Sequence, residues 1–288
     1  MVPHADQHQA RVLAQRVLAH GTYAVRIDAR ELSTNILPGQ FFMIRPATGT
    51  DPLLGRPFAL YDTIVDDHGD VTAFEFAYHV IGKMTGLMSH WEPGEQVELW
   101  GPLGNGFPVY TGKHLLCVGG GIGYTPFLAV ARETLGLRKY GNKPSRYENF
   151  QPAKVTLAYG VQSKRHRADL SDFESMGTMP LLISTDDGSE GRAGFVTETV
   201  RELLDSSHED RPDGVYCCGP EPMMYTVARL CRDARVPCWL SLETPMACGF
   251  GACFSCVTRV KTDDGWDYRR TCIEGPIFPA DSLAYDGV

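Results

Sequence analysis

Four cysteines near the end of the chain have the type and spacing to hold a metal cluster. Cys248, Cys253 and Cys256 run C-x4-C-x2-C, and Cys272 follows after fifteen residues. This is the ligand spacing of a plant-type [2Fe–2S] centre, in which four thiolates converge on two irons. Gly249, Gly251 and Ala252 stand between the first two ligands, small enough for a loop to wrap closely round a cluster. The competing chemistries are a disulfide pair and a zinc site. Structural zinc sites usually carry two C-x2-C knuckles, and here only Cys253 with Cys256 makes one.

A cluster passes one electron at a time, so it needs a donor and an acceptor, and other stretches have suitable chemistry. Gly119-Gly-Gly121-Ile-Gly123-Tyr-Thr-Pro126 follows the short apolar run Lys113–Val118 and precedes a helical pattern from Phe127 to Leu137. Strand, glycine loop and helix start together form a phosphate cradle; a plain tight βα turn is the alternative. Cys218-Gly219-Pro220 ends a second strand pattern, which leaves Cys218 either beside a nicotinamide or simply packed. Asp186 follows a third strand. Its carboxylate can accept a hydrogen bond from a ribose 2′-hydroxyl and would repel a 2′-phosphate. Lys164, Arg165 and Arg167 argue the other way, since they could pair with that phosphate. The balance favours NADH. Arg56-Pro57-Phe58-Ala59 can present a guanidinium to a phosphate or be an ordinary surface arginine. Gly82-Lys-Met84-Thr85 opens a helical pattern, as an anion-binding helix start or as a plain N-cap at Thr85.

The elements that must position these residues fall into three parts. Strand patterns at Thr22–Ala29, Gln40–Arg45, Pro57–Tyr61, Val71–Val80 and Gln96–Trp100 are short and separated by Pro, Gly and Asp, the grammar of a small antiparallel barrel. Arg11–His20 suits helix by pattern, but Gly21 after it suits a turn between two strands. Gly101-Pro-Leu-Gly-Asn-Gly-Phe107 reads as the turn that closes this half. Beyond residue 112 strands and helices alternate: strands at Lys154–Tyr159, Leu181–Ser184, Gly214–Cys218 and Cys238–Leu242, helices at Val196–Leu204 and Glu221–Ala234. Alternation of this kind predicts a parallel sheet with helices on both faces, binding ligands at the carboxyl ends of its strands. Residues 138–152 read as an exposed polar loop. The expected division is 1–111, 112–242 and 243–288.

Composition narrows the function further. The 288 residues are 43% hydrophobic and 22% charged, with a net charge of −8, which argues against nucleic-acid binding. No apolar run is long enough for a transmembrane helix, and the N-terminus lacks the pattern of a signal peptide. Nine cysteines without an export signal point to a reducing cytoplasm. Cys117, Cys217, Cys231 and Cys238 fall within elements and read as core.

Taken in order, Arg56-Pro-Phe-Ala, Gly82-Lys-Met-Thr, Gly101-Pro-Leu-Gly-Asn-Gly-Phe, Gly119-Gly-Gly-Ile-Gly, Cys218-Gly-Pro and the four cysteines resemble the ferredoxin reductase superfamily. Met246-Ala-Cys-Gly-Phe-Gly-Ala-Cys-Phe-Ser-Cys with Cys272-Ile-Glu-Gly-Pro-Ile-Phe is similar to the electron-transfer subunits of class 1B dihydroorotate dehydrogenases. The resemblance spans about residues 10 to 285. It implies an antiparallel FAD-binding β-barrel, a parallel-sheet NAD-type domain and a small C-terminal [2Fe–2S] segment. Carried over by position, Arg56, Pro57, Phe58, Ala59, Ala77, Tyr78, His79, Met84 and Thr85 would contact FAD. Gly121, Gly123, Cys218, Gly219 and Pro220 would border the nicotinamide nucleotide, and Cys248, Cys253, Cys256 and Cys272 would hold the cluster. Ala59, His79, Met84 and Gln162 depart from the Ser, Arg, Gly and Arg common in relatives.

The implied route runs from NADH to FAD to cluster to an acceptor outside the chain, because flavin alone of these three exchanges both hydride and single electrons. No side chain need act as acid or base, so no catalytic residue is expected. The implied partner is an FMN-containing dihydroorotate dehydrogenase subunit, in a heterotetramer of two of each, with Phe250, Phe254, Ile277 and Phe278 as interface candidates. The other readings are a subunit of a ferredoxin-coupled transhydrogenase or a hydrogenase, and a non-enzymatic metal-binding module.

Overall fold

In the computed structural model, which describes residues 6–142, Arg146, 153–206 and 211–284, the first fourteen described residues form one long strand. This is β1 (Asp6–Ala19), paired on one side with β2 (Thr22–Asp28) and on the other with the barrel's last strand. Its helix-like spacing has a cause. Register shifts between Val12 and Ala14 and between Val17 and Ala19 break the two-residue alternation, so Leu13 and Val17 turn outward while Val12 and Leu18 are buried. The chain continues through α1 (Arg30–Asn35), β3 (Phe41–Pro46), β4 (Arg56–Ala59), β5 (Asp62–Val65), β6 (Val71–His79), α2 (Lys83–Met88) and β7 (Gln96–Leu103). The antiparallel sheet has the order β4-β3-β7-β1-β2-β6-β5. It curls until β4 meets β6, with the Phe58 ring 4.9 Å from Phe76 and 6.0 Å from Tyr78.

The second half runs β8 (His114–Gly120), α3 (Phe127–Thr134), β9 (Lys154–Val161), α4 (Ser171–Glu174), β10 (Leu181–Thr185), β11 (Arg192–Ala193), α5 (Val196–Asp205), β12 (Gly214–Cys218), α6 (Glu221–Ala234) and β13 (Cys238–Ser241). β8 is buried at every position, as a central strand covered on both faces must be. Its sheet order is β11-β10-β9-β8-β12-β13, all parallel, so the direction of winding reverses between β8 and β12. α5 and α6 cover one face through Val196, Val200, Met224 and Val227. α3 covers the other and packs together with barrel residues Leu18, Tyr61 and Ala77.

The two halves are also joined by charge. Asp62, almost fully buried, accepts hydrogen bonds from Arg132, from Arg138 at 2.7 Å and from the Tyr140 hydroxyl at 2.6 Å. Asp172 on α4 accepts from Arg16 at 2.6 Å and Tyr61 at 2.9 Å. The expected loop over 138–152 thus begins as a buried contact at Tyr140; most of the rest lies outside the described residues.

The last part holds β14 (Val257–Thr262), β15 (Gly265–Arg270) and β16 (Ile277–Pro279). β14 and β15 make a hairpin, and β16 pairs antiparallel with β13 at the edge of the parallel sheet. Ile277 and Phe278 are therefore buried, at 3% and 5% exposure, which removes them as interface candidates. Cys117, Cys217, Cys231 and Cys238 are buried as expected. Among the described residues, no helix is long and apolar enough to cross a membrane.

Candidate electron-transfer site

The β14–β15 hairpin brings the fourth cysteine back to the other three. Where it closes, Thr271 donates to the Cys256 carbonyl twice, from its amide at 2.7 Å and its hydroxyl at 3.0 Å, which sets Cys272 beside Cys256. The two thiols are in hydrogen-bond contact, and burial followed by Cys256 pushes the Cys272 thiol up to about 12. Cys253 and Cys248 form a second contacting pair. Cys253 is exposed and is held down to about 6, chiefly by the Ser255 hydroxyl and amide. The Ala252 amide donates to the Cys248 sulfur at 3.3 Å.

Among the described residues, no three His, Cys, Asp or Glu side chains gather as a single ion needs. Two pairs of thiols, one with Cys253 exposed and Cys248 half-buried and the other buried, instead suit a centre whose two irons each take two thiolates. The loop between the ligands is clamped by Arg270, which donates to the Gly251 carbonyl at 3.0 Å and lies 4.7 Å over the Phe254 ring. Phe254 adopts φ +57 and is 62% exposed. A left-handed residue other than glycine costs roughly 1–2 kcal/mol, which the guanidinium contact offsets in part. Phe250 is likewise exposed, so both flank the outward pair of thiols.

The glycine loop and the Cys218 loop meet at the carboxyl edge of the parallel sheet, on either side of its switch point. Cys218 lies in register with Gly119 on the adjoining strand. A Cβ on Gly123 would stand 2.5 Å from the Cys218 carbonyl carbon, and one on Gly219 2.9 Å from the Gly120 backbone, so the loops touch backbone to backbone. Gly121, at φ +54, instead faces open space. Cys218 is half-buried; burial pushes its thiol up to about 12, with a hydrogen bond to Ser241 acting the other way and Glu243 nearby. Sequence reading missed Ser241 and Glu243, which register between β12 and β13 brings to the same edge. Asp186 is exposed at the end of β10. Of the basic residues opposing it, Arg167 pairs with Glu190 at 2.9 Å and Arg165 donates to His20 at 2.5 Å; the Lys164 side chain is exposed.

β4, the end of β6 and the start of α2 come together on the barrel. Arg56 donates to the carbonyls of Leu54 at 2.9 Å and Gly55 at 3.1 Å, and among the described residues no carboxylate pairs with it. A half-buried guanidinium resting on neutral carbonyls suits a phosphate. Pro57, Phe58 and Ala59 follow on β4, each half-buried. Tyr78 is buried, with its hydroxyl on Gln15 at 3.1 Å, and Ala77 is buried beside it. His79 makes a 2.9 Å hydrogen bond with Thr22. Met84 is buried, and the Thr85 hydroxyl accepts from the amides of Ile81 at 3.0 Å and Gly82 at 3.1 Å. Thr85 is therefore not the N-cap, which is Gly82, but the third residue of α2, whose hydroxyl reaches back to the N-cap amide and is spent there, leaving the backbone of this turn to meet a ligand.

Two family models match the chain: "Iron-sulfur cluster binding domain of dihydroorotate dehydrogenase B" over residues 243–284 and "Oxidoreductase NAD-binding domain" over 117–229. A dihydroorotate dehydrogenase B (NAD(+)) electron transfer subunit from Caldanaerobacter subterraneus is 34% identical over 96% of this chain and 98% of its own length. The subunit of the same description from Bacillus caldolyticus is 36% identical over 93% and 95%. Among solved structures, an NADH-dependent reduced ferredoxin-NADP oxidoreductase aligns with TM-score 0.76 at 24% identity, covering 96% of this chain and 89% of its own. A ferredoxin reductase of carbazole 1,9a-dioxygenase aligns with TM-score 0.65 at 24% identity, over 82% and 68%. These two likenesses show the fold.

Proposed function

The chain belongs to the family of dihydroorotate dehydrogenase B (NAD(+)) electron transfer subunits, and we propose that it carries electrons between NAD(H) and a separate FMN-containing dihydroorotate dehydrogenase subunit in cytoplasmic pyrimidine biosynthesis. Flavin would supply the conversion between hydride and single electrons, and the cluster the one-electron relay. The observation that carries the reading is the meeting of four thiols as two contacting pairs, Cys248 with Cys253 and Cys256 with Cys272, in a chain similar to these subunits along nearly its whole length.

Each part of the chain has its own task. Arg56, which has no carboxylate partner among the described residues, supplies a guanidinium for FAD pyrophosphate, with Pro57, Phe58, Ala59, Ala77, Tyr78 and His79 on the neighbouring strands β4 and β6. The backbone at Met84 and Thr85 completes that site. Gly121 and Gly123 with Cys218, Gly219 and Pro220 hold the nicotinamide end of the nucleotide, where the protonated Cys218 thiol can donate a hydrogen bond. Asp186 receives the adenosine ribose, and the engagement of Arg165 and Arg167 with their own partners favours NADH over NADPH. Cys248, Cys253, Cys256 and Cys272 hold the cluster. Phe250 and Phe254 offer the partner an apolar contact around the outward thiols, in an assembly of two subunits of each kind.

Reconstitution tests this. The purified chain with the FMN-containing subunit is expected to oxidise dihydroorotate with NAD, and neither is expected to do so alone. Turnover of dihydroorotate by the isolated chain, or activation only of a different oxidoreductase, would refute the assignment.

A further inference from the structure

The motif Gly101–Phe107 reads in sequence as a turn, but the residues in and beside it make contacts that no turn requires. Trp100, immediately before it on β7, donates its indole N–H to the carbonyl of Cys248 at 2.8 Å. The outer edge of the same ring lies on Gly55, where an added Cβ would stand 2.6 Å from it. Gly55 directly precedes Arg56. One side chain therefore touches both the start of β4 and the first cluster cysteine.

Asn105 grips the other end of the same segment. Its backbone amide donates to the Gly275 carbonyl at 2.6 Å. Its carboxamide donates to the carbonyls of Ile277 at 2.8 Å and Glu274 at 3.2 Å, and accepts from the Ile277 amide at 3.0 Å. Both donors of that carboxamide, and its oxygen, engage backbone just beyond Cys272. Gly104, at φ +67, allows the approach, since a Cβ there would stand 2.6 Å from the Gly275 oxygen. Gly249 presses on Met43 and Leu103 from the cluster side, at 2.6 and 3.0 Å for an added Cβ.

We propose that Trp100 and Asn105 form a clasp that seats the cluster segment on the flavin-binding side of the barrel, acting as positioning residues for electron transfer between FAD and cluster. The clasp holds the segment on either side of its ligands, so the thiols keep a fixed placement against β4. This inference rests on the proposed electron-transfer reading.

The test uses the full chain carrying its flavin and cluster, with Trp100→Phe, which keeps a ring and loses the donor, and Asn105→Ala. Stopped-flow reduction of the flavin by NADH is expected to stay within about twofold of wild type. Cluster reduction is expected to slow about threefold to tenfold, the equivalent of one or two lost hydrogen bonds. The electron paramagnetic resonance signal of the reduced cluster should shift. In protein stripped of its metal, amide exchange across 243–256 and 271–278 should quicken. Wild-type cluster reduction in both variants would overturn the clasp, as would equal slowing of both steps with loss of flavin, which marks mere support of the barrel. Wild-type protein that binds no flavin would overturn the electron-transfer reading, and the clasp with it.

Discussion

Replacing Gly123 with alanine tests the nucleotide edge at the point where its two loops touch. The added Cβ would stand 2.5 Å from the Cys218 carbonyl carbon and 2.7 Å from the Gly219 nitrogen. Ordinary contact begins near 3.4 Å, so the loops must part by about 1 Å. Every opposing atom is backbone, and no flexible side chain can swing away. Overpacking of this kind costs about 1–3 kcal/mol. The displacement falls where the nicotinamide would be held, and misplacement by about 1 Å can cost up to about a hundredfold in rate. Gly82→Ala is the control: its backbone is extended at φ −163 and nothing lies within 4 Å of the new methyl. The assay is stopped-flow flavin reduction against NADH concentration, with thermal unfolding alongside. Gly123→Ala is expected to slow hydride transfer and raise the apparent Kd for NADH, with the cluster spectrum unchanged. A variant matching Gly82→Ala in rate, affinity and melting temperature would refute the reasoning, because the two loops would then not be packed backbone to backbone.

Anaerobically purified protein should contain two irons and two acid-labile sulfides per chain, and Cys253→Ser should lose them while NADH still reduces the flavin; zinc in iron-replete protein would contradict this. NADH should be preferred over NADPH in kcat/KM with an artificial acceptor, and an NADPH preference abolished by Lys164→Ala would reverse the assignment of Asp186. Phe254→Asp should weaken association with the FMN-containing subunit without bleaching the cluster, read by gel filtration and visible absorbance. Asp62→Ala should destabilise the chain by about 3–5 kcal/mol, since it strands two arginines and a buried tyrosine between the halves; an unchanged denaturation midpoint would refute that. Because burial raises the Cys218 thiol to about 12, its alkylation should be slow at pH 8 and climb steadily as pH rises above 9; rapid labelling at pH 7 would contradict a protonated thiol.

The sequence by itself determined whatever depends on residues close together in the chain. Cluster spacing is such a property, because Cys248, Cys253 and Cys256 must reach one centre from a single loop. So is the strand, glycine loop and helix at 113–134, where local pattern and local backbone agree. Local pattern misled where long-range pairing intervened. The spacing of β1 looks helical only because two register shifts carry its apolar residues across faces, and pairing with β2 and β7 overrides that pattern. Phe278 and Phe254 are both aromatic and flank ligands, yet one is buried in the parallel sheet and the other exposed on a strained loop. That difference arises because β16 finds an open sheet edge at β13, about forty residues back. The hydrogen bonds from Trp100 and Asn105 span 148 and 172 residues, and neither leaves a periodic trace. Tertiary structure alone decided them, because a buried carbonyl must be paired by whichever donor the fold brings near, and no rule of spacing names that donor in advance.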